Sequence, residues 1–252
     1  MIYTPKPSML DRVARKLRPF QNVRRLDFQI DTPIISITFD DFPKSAVDIG
    51  AQEMENRGML GTFYTCAGMA GQSNHHGVLY DASDLIRLEA AGHEIAGHTY
   101  SHVDCRSVSD TDLATEISQN RKALAAMGVT QAIDNFAFPF GQNSADLKAR
   151  FEREFNSLRG ITDGVHLRSA DLNELKSCGF YSQTADTVLE RVEDLKNNPG
   201  WLTVFTHDIQ ENPTQWGCTK AQFISLLDAA EKIGARVMTV RNAVTTLEAS
   251  NG

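Results

Sequence analysis

The chain has 252 residues, 41% of them hydrophobic and 23% charged, values that exclude disorder, collagen-like repeats and coiled coil. No run of about 18 apolar residues occurs, so no membrane-spanning helix is expected. The net charge of -7 is uneven, because Lys6, Arg12, Arg15, Lys16, Arg18, Arg24 and Arg25 face only Asp11 in residues 1–26, and the acidic remainder argues against broad nucleic-acid binding.

The opening residues, Met1 to Pro7, lack the apolar stretch and small-residue cleavage site of a secretory signal, which gives a cytoplasmic expectation. Residues 1–32 read as a basic N-terminal segment, in which 8–26 carries a weakly amphipathic helix (Met9, Leu10, Val13, Leu17), stopped near Pro19 and packed outside the main domain. Contact of this segment with the anionic face of the inner membrane is the alternative.

Residues 33–252 read as one domain in which short β-branched runs alternate with helical patterns. A strand over 34–39 is followed by a helix over 45–57 and a strand over 60–65. A polar, Gly-rich loop then runs through Tyr80. The spacing next predicts a helix over 82–91 ended by Gly92, a strand over 93–96 and a helix over 109–127. Strand 135–138, helix 144–155 and strand 158–161 continue the pattern. It closes with helix 185–197, strand 202–206, helix 219–233, strand 236–240 and helix 241–249. Strands separated by helices imply parallel pairing with right-handed crossovers. About seven such units predict an α/β fold, a single TIM-like (β/α) barrel whose chemistry sits on loops at the strand C-terminal ends. Cys66, Cys105, Cys178 and Cys218 are widely spaced and read as reduced, packed thiols.

Polar residues fall where that barrel would gather them. The first strand ends in Asp40-Asp41, the third leads into His98-Thr99-Tyr100-Ser101-His102, and the fourth ends in Phe138-Pro139-Phe140-Gly141. A late strand ends in Thr206-His207-Asp208. The four-residue spacing of His98 and His102 predicts one helical turn that puts both imidazoles on one face for a shared metal. One carboxylate with two imidazoles makes a three-ligand set that leaves positions open for water and substrate. The other aspartate is then placed to act as a general base, and His207 as a general acid. Trp201, opening a strand, reads as core. Trp216, in the loop after His207, reads either as a sugar-stacking aromatic or as loop packing. His75 and His76, in the long loop, read as solvated, with a substrate-side contact as the alternative.

In this order and spacing, Thr38-Phe39-Asp40-Asp41, His98-Thr99-Tyr100-Ser101-His102, Phe138-Pro139-Phe140-Gly141 and Thr206-His207 resemble the motifs of the polysaccharide deacetylase family, the NodB-homology group or carbohydrate esterase family 4. The resemblance covers roughly residues 33 to 245. It implies a distorted barrel of about seven strands and one divalent metal ion, zinc by default with Co2+, Mn2+ or Ni2+ as options. The implied activity is metal-dependent hydrolysis of N-acetyl groups from amino sugars.

Carried over by position, Asp40 corresponds to the catalytic base, Asp41, His98 and His102 to the metal ligands, and His207 to the acid that protonates the leaving amine. The Phe140 backbone N–H corresponds to an oxyanion donor, with Pro139 beside it on the substrate side. Thr99 and Ser101 are expected to orient the imidazoles.

Two departures stand out. Ala137 occupies the position where the family's third motif often begins with arginine, and Arg159, at the end of the next predicted strand, reads either as the substitute partner of Asp40 or as a surface arginine paired with some acid. The residues that brace the acid histidine are not recognisable; Asp163, His166 and Asp171 lie in that region. The expected substrate is an N-acetylated glycan or its lipid-linked precursor in exopolysaccharide or adhesin biosynthesis. Peptidoglycan or chitooligosaccharide deacetylation and sugar O-acetyl ester hydrolysis are alternatives. A non-catalytic glycan-binding relic is disfavoured by retention of all five acid, base and ligand residues.

Overall fold

A computed structural model of the protein describes residues 20–250. The expected helix, stopped near Pro19, falls outside the described residues. Past its expected end, β1 (Arg25–Asp27) is a strand. It pairs antiparallel with β9 (Ser169–Asp171). A short strand forms here because Leu26 packs against a cluster containing Phe28, Ala170 and Leu172, while Arg25 and Asp27 stay in solvent.

The central sheet is built from β2 (Ile34–Asp40), β3 (Thr62–Thr65), β6 (Glu94–Gly97), β7 (Asn135–Ala137), β8 (Ser157–Arg159), β10 (Cys178–Gly179) and β11 (Trp201–Thr206). Their spatial order is β10-β11-β2-β3-β6-β7-β8, and every pairing is parallel. This is the expected distorted barrel of seven parallel strands. Helices over Ala82–Ala90, Asp110–Ala126, Ala145–Phe151, Ala185–Asp194, Lys220–Lys232 and Val240–Ala249 follow strands in chain order. A small hairpin, β4 (Ser73–Asn74) and β5 (Gly77–Val78), interrupts the loop after β3. A late strand, β12 (Arg236–Val237), pairs with the first residues of β2. β8 and β10 do not pair directly. The chain over 172–177 fills that gap, with Leu175 donating to the Leu158 carbonyl at 2.7 Å and Ser177 donating to the Thr162 carbonyl at 2.9 Å.

Alternation along the strands explains the two kinds of interior. On β2, Ile35, Ile37 and Phe39 pack outward with Phe63, Leu202 and Phe223 in the layer beneath the helices. Ser36, Thr38 and Asp40 necessarily take the opposite face, since strand side chains alternate. A hydrogen-bonded polar layer crosses four neighbouring strands there. Thr62 donates to Glu94 at 2.9 Å, Asn135 donates to Glu94, and Ser157 donates to Asn135 at 2.6 Å. Two residues further along these strands stand Tyr64, Ala96, Ala137 and Arg159; Tyr64 pairs with Asp40 and with Ala96, and Ala137 pairs with Arg159. The alanines leave the lumen wide at that level, and a charge can be housed where a larger apolar side chain would otherwise close it.

Candidate active site

Because all seven strands run the same way, Asp40, His98, Arg159 and His207 are delivered to one rim. Asp41, one residue past β2, has φ 43, in the left-handed region that disfavours a side chain. The turn is thus occupied by a carboxylate where glycine would be conformationally easier.

Asp41, His98 and His102 present one ligand atom each, all within 4.8 Å of one another. His102 Nε2 lies 2.9 Å from Asp41 Oδ2. His98 Nδ1 donates to the Ala137 carbonyl at 2.7 Å, which fixes the tautomer and leaves Nε2 as the ligating nitrogen. These donors fit a divalent ion: two ligands of one tetrahedral zinc stand about 3.3 Å apart, given bonds of about 2.0–2.1 Å.

The predicted helical turn between the two histidines is corrected. Residues 98–107 form no helix, and left-handed Thr99 (φ 63) and His102 (φ 55) fold the loop so that the imidazole centroids stand 5.0 Å apart. Neither Thr99 nor Ser101 hydrogen-bonds an imidazole among the described residues. Thr99 Oγ1 accepts from the Val103 N–H, and Ser101 donates to Glu116. Glu116, on the helix Asp110–Ala126, also accepts the Tyr100 and Ser101 amides at 2.9 and 2.8 Å and so anchors the loop.

Arg159 is 1% exposed, and its Nη2 donates to Asp40 Oδ2. Its guanidinium lies over the rings of Tyr64 and Phe205, at 5.0 and 4.8 Å. The cross-strand partner of Arg159 is Ala137, the position where the motif often carries arginine. The charge has therefore moved one strand sideways at the same height. Asp40 Oδ1 is buried and has no hydrogen-bond partner among the described residues.

His207 follows β11. Its Nδ1 lies 3.1 Å from the Trp216 carbonyl, which also accepts the His207 amide at 3.2 Å. Nδ1 must carry the proton, because a carbonyl only accepts. None of Asp163, His166 or Asp171 braces this histidine. Asp163 pairs with Arg191, His166 accepts the Lys176 amide, and Asp171 binds Lys148 and the Arg24 amide. The solvated reading of His75 and His76 is corrected for His76, which is buried and stacked on His207 with centroids 4.8 Å apart. Trp201 is core, as expected, its indole N–H donating to Ser36. Trp216 is 38% exposed and meets Tyr181 edge-on. Tyr181, Phe205 and Trp216 line a cavity of about 400 Å³ beside His207. Pro139 is buried, and Phe140 (φ 57) packs edge-on against His102 at 4.4 Å.

The electrostatics separate these groups. Burial pushes the Asp41 carboxyl upward, but the charge and hydrogen bond of His102, then His98 and His207, outweigh it and hold the carboxyl well below the usual range. Burial lowers the His98 pKa against the pull of Asp41 and Asp40. His102 is raised, because Asp41 overcomes the effect of burial. Loss of water around His207 pushes its pKa down to about 4, with Asp40 opposing and His76 assisting. Cys66, invisible to motif reasoning, is buried with Sγ 3.3 Å from Asp41 Oδ1 and stays a neutral thiol because burial and Asp41 both raise its pKa. Its only sequence signal is its place at the end of β3. All four cysteines are free and buried.

A family model described as polysaccharide deacetylase matches residues 29–153. A chitin deacetylase of Arthroderma benhamiae is 25% identical over 209 residues, covering 82% of this chain and 50% of that protein. A chitin deacetylase of Pestalotiopsis sp is 28% identical over 179 residues, covering 69% and 53%. The chain thus spans about half the length of these relatives. Among solved structures, peptidoglycan deacetylase PdaC from Bacillus subtilis superposes with a TM-score of 0.61 at 15% identity, over 88% of this chain and 94% of that one. That likeness is one of fold.

Proposed function

Because the chain belongs to the polysaccharide deacetylase family, we propose that it hydrolyses the N-acetyl groups of amino sugars in a polysaccharide or its precursor, with Asp40 as base. The observation that carries this reading is the buried Asp40 carboxylate, held on one oxygen by Arg159 and, among the described residues, without a hydrogen bond on the other. A fixed carboxylate with a free lone pair is what abstraction of a proton from an attacking water requires.

Asp41, His98 and His102 would hold the divalent ion, zinc in this reading; when bound, it supplies Lewis-acid polarisation of the acyl carbonyl and of water. The chain's own groups do the rest. Asp40 takes the proton of the attacking water. The Phe140 backbone N–H is the donor assigned to the oxygen that gains charge as the acyl carbon becomes tetrahedral. His207 is neutral near pH 7, with Nδ1–H spent on Trp216, so Nε2 must take up a proton before it can deliver one to the leaving nitrogen. Pro139 shapes the wall beneath Phe140, and Trp216 offers an exposed ring to a sugar face.

A cytoplasmic exopolysaccharide or adhesin precursor as substrate, and contact of the basic N-terminal segment with the inner membrane, are parts of the same proposal. The test is acetate release from N-acetylglucosamine oligomers, peptidoglycan fragments, lipid-linked glycans and sugar O-acetyl esters, with and without added divalent ion. Ion-dependent release from an N-acetyl substrate is expected. Release from O-acetyl esters alone would replace the amidase reading by an esterase one, and no release from any member would overturn both.

A further inference from the structure

Of the eight residues 71–78, which carry the β4–β5 hairpin, His76 alone is buried, at 4% exposure. A hairpin anchored by a single side chain would be held more cheaply by an apolar one, since a buried polar group must find a partner. His76 has found one. Its Nδ1 lies 2.9 Å from Asp208 Oδ1 and 3.2 Å from Thr214 Oγ1. Asp208 is itself fully buried, and besides His76 it accepts from the Thr214 amide (2.8 Å), the Thr214 hydroxyl (2.5 Å) and Gln210 (2.8 Å). The loop can wrap this carboxylate so tightly because residue 217 is glycine; a Cβ there would stand 2.5 Å from the Asp208 carboxylate. The other face of this assembly is the His76 ring, nearly parallel to that of His207 at an interplanar angle of 15°.

We propose that His76, fixed by Asp208, is a positioning residue for His207. Among the described residues the imidazole of His207 has one hydrogen bond, from Nδ1 to the Trp216 carbonyl. One such bond leaves rotation about its own axis free, and a flat ring packed against one face removes that freedom. Together the two contacts aim Nε2 at a single place and hold one tautomer. In this chain an imidazole–carboxylate pair from two loops thus does the bracing that none of Asp163, His166 or Asp171 does.

The kinetic part of the test rests on the deacetylase reading; the spectroscopic part does not. Imidazole nitrogen–proton NMR correlations of His207 are recorded for the wild type, His76→Ala, His76→Phe and Asp208→Asn, alongside kcat and KM. The wild type and His76→Phe are expected to show the single Nδ1–H tautomer, because phenylalanine keeps a flat ring on His207. His76→Ala and Asp208→Asn are expected to show mixed tautomers. The kcat of His76→Ala should fall about 10- to 100-fold, short of the 10²–10⁴ that loss of a positioned acid causes, with KM little changed. His76→Phe should recover most of that loss. A single tautomer and wild-type kcat in His76→Ala would overturn the proposal, as would a His76→Phe enzyme as impaired as His76→Ala. Should His76→Ala fail to fold, Asp208→Asn decides, and a single tautomer there refutes the role. A wild type that releases no acyl group from any substrate strikes the deacetylase reading, while the tautomers still decide the positioning role.

Discussion

The Arg159–Asp40 pair lends itself to a quantitative test. Both side chains are buried, and Arg159 has no solvent to fall back on. Arg159→Met fills most of the vacated volume, so the loss is electrostatic rather than that of a cavity. It leaves the Asp40 carboxylate buried beside Asp41 without its counter-charge, and removing one partner of such a pair costs about 3–5 kcal/mol. Contacts with Tyr64 and Phe205 are lost as well, each a desolvated cation–π interaction of up to about 2 kcal/mol, in part replaced by the methionine chain. For a chain of this size the first figure corresponds to a fall in Tm of roughly 6–20 °C. Urea unfolding of the wild type, Arg159→Met, Asp40→Asn and the double variant completes a thermodynamic cycle. A coupling of at least about 1.5 kcal/mol is expected, because neutralising Asp40 removes the uncompensated charge. Arg159→Met should also lose turnover, and Arg159→Lys should restore only part, since a point charge does not fix the carboxylate's orientation. A loss below about 1 kcal/mol with no coupling would refute the claim that this pair is a buried, mutually dependent unit.

Asp40→Asn should keep divalent-ion binding and lower turnover by about 10²–10⁴, whereas Asp41→Asn should lose the ion; isothermal titration with zinc and acetate release separate the two, and the reverse pattern would exchange their roles. Zinc at about a hundred times its dissociation constant should stabilise the wild type by about 2.7 kcal/mol in thermal melts and leave His102→Ala unmoved. His102, whose pKa is raised by Asp41, must shed its proton to ligate, so this stabilisation should shrink on going from pH 7.5 to 6. His166 is buried, and loss of water, aided by Lys176, lowers its pKa to about 3. The unfolded chain then binds the extra proton first, so stability is full above the ordinary histidine value and falls with acidification toward pH 3. Between pH 6.5 and 4.5 this one group should account for roughly 2–3 kcal/mol. His166→Gln, which can still accept the Lys176 amide, should show that much less pH dependence in urea melts, and an identical slope would dismiss the assignment.

Strand-end chemistry was written in the sequence itself. Apolar runs ending in Asp40-Asp41, Phe138-Pro139 and Thr206-His207 give both the parallel barrel and the rim on which these residues meet, because a period of alternating strands and helices allows few topologies. The burial of Trp201 and the free cysteines were legible for the same local reason. The route from His98 to His102 was not. A four-residue spacing fits a helical turn, and only Glu116, fourteen residues past His102, pins the amides that make it a left-handed loop.

The Arg159 contact was guessed from the motif's missing arginine, but the register that sets it opposite Ala137 is a property of the sheet. The short strands β1, β4, β5, β9 and β10 escaped notice because each is two or three residues of mostly polar or small side chains. His76 and Asp208 lie 132 residues apart. Nothing local distinguishes a histidine in a polar hairpin from a solvated one. Its burial depends on where β11 ends and on a glycine at 217 that lets the loop close over a carboxylate, and those are facts of tertiary packing alone.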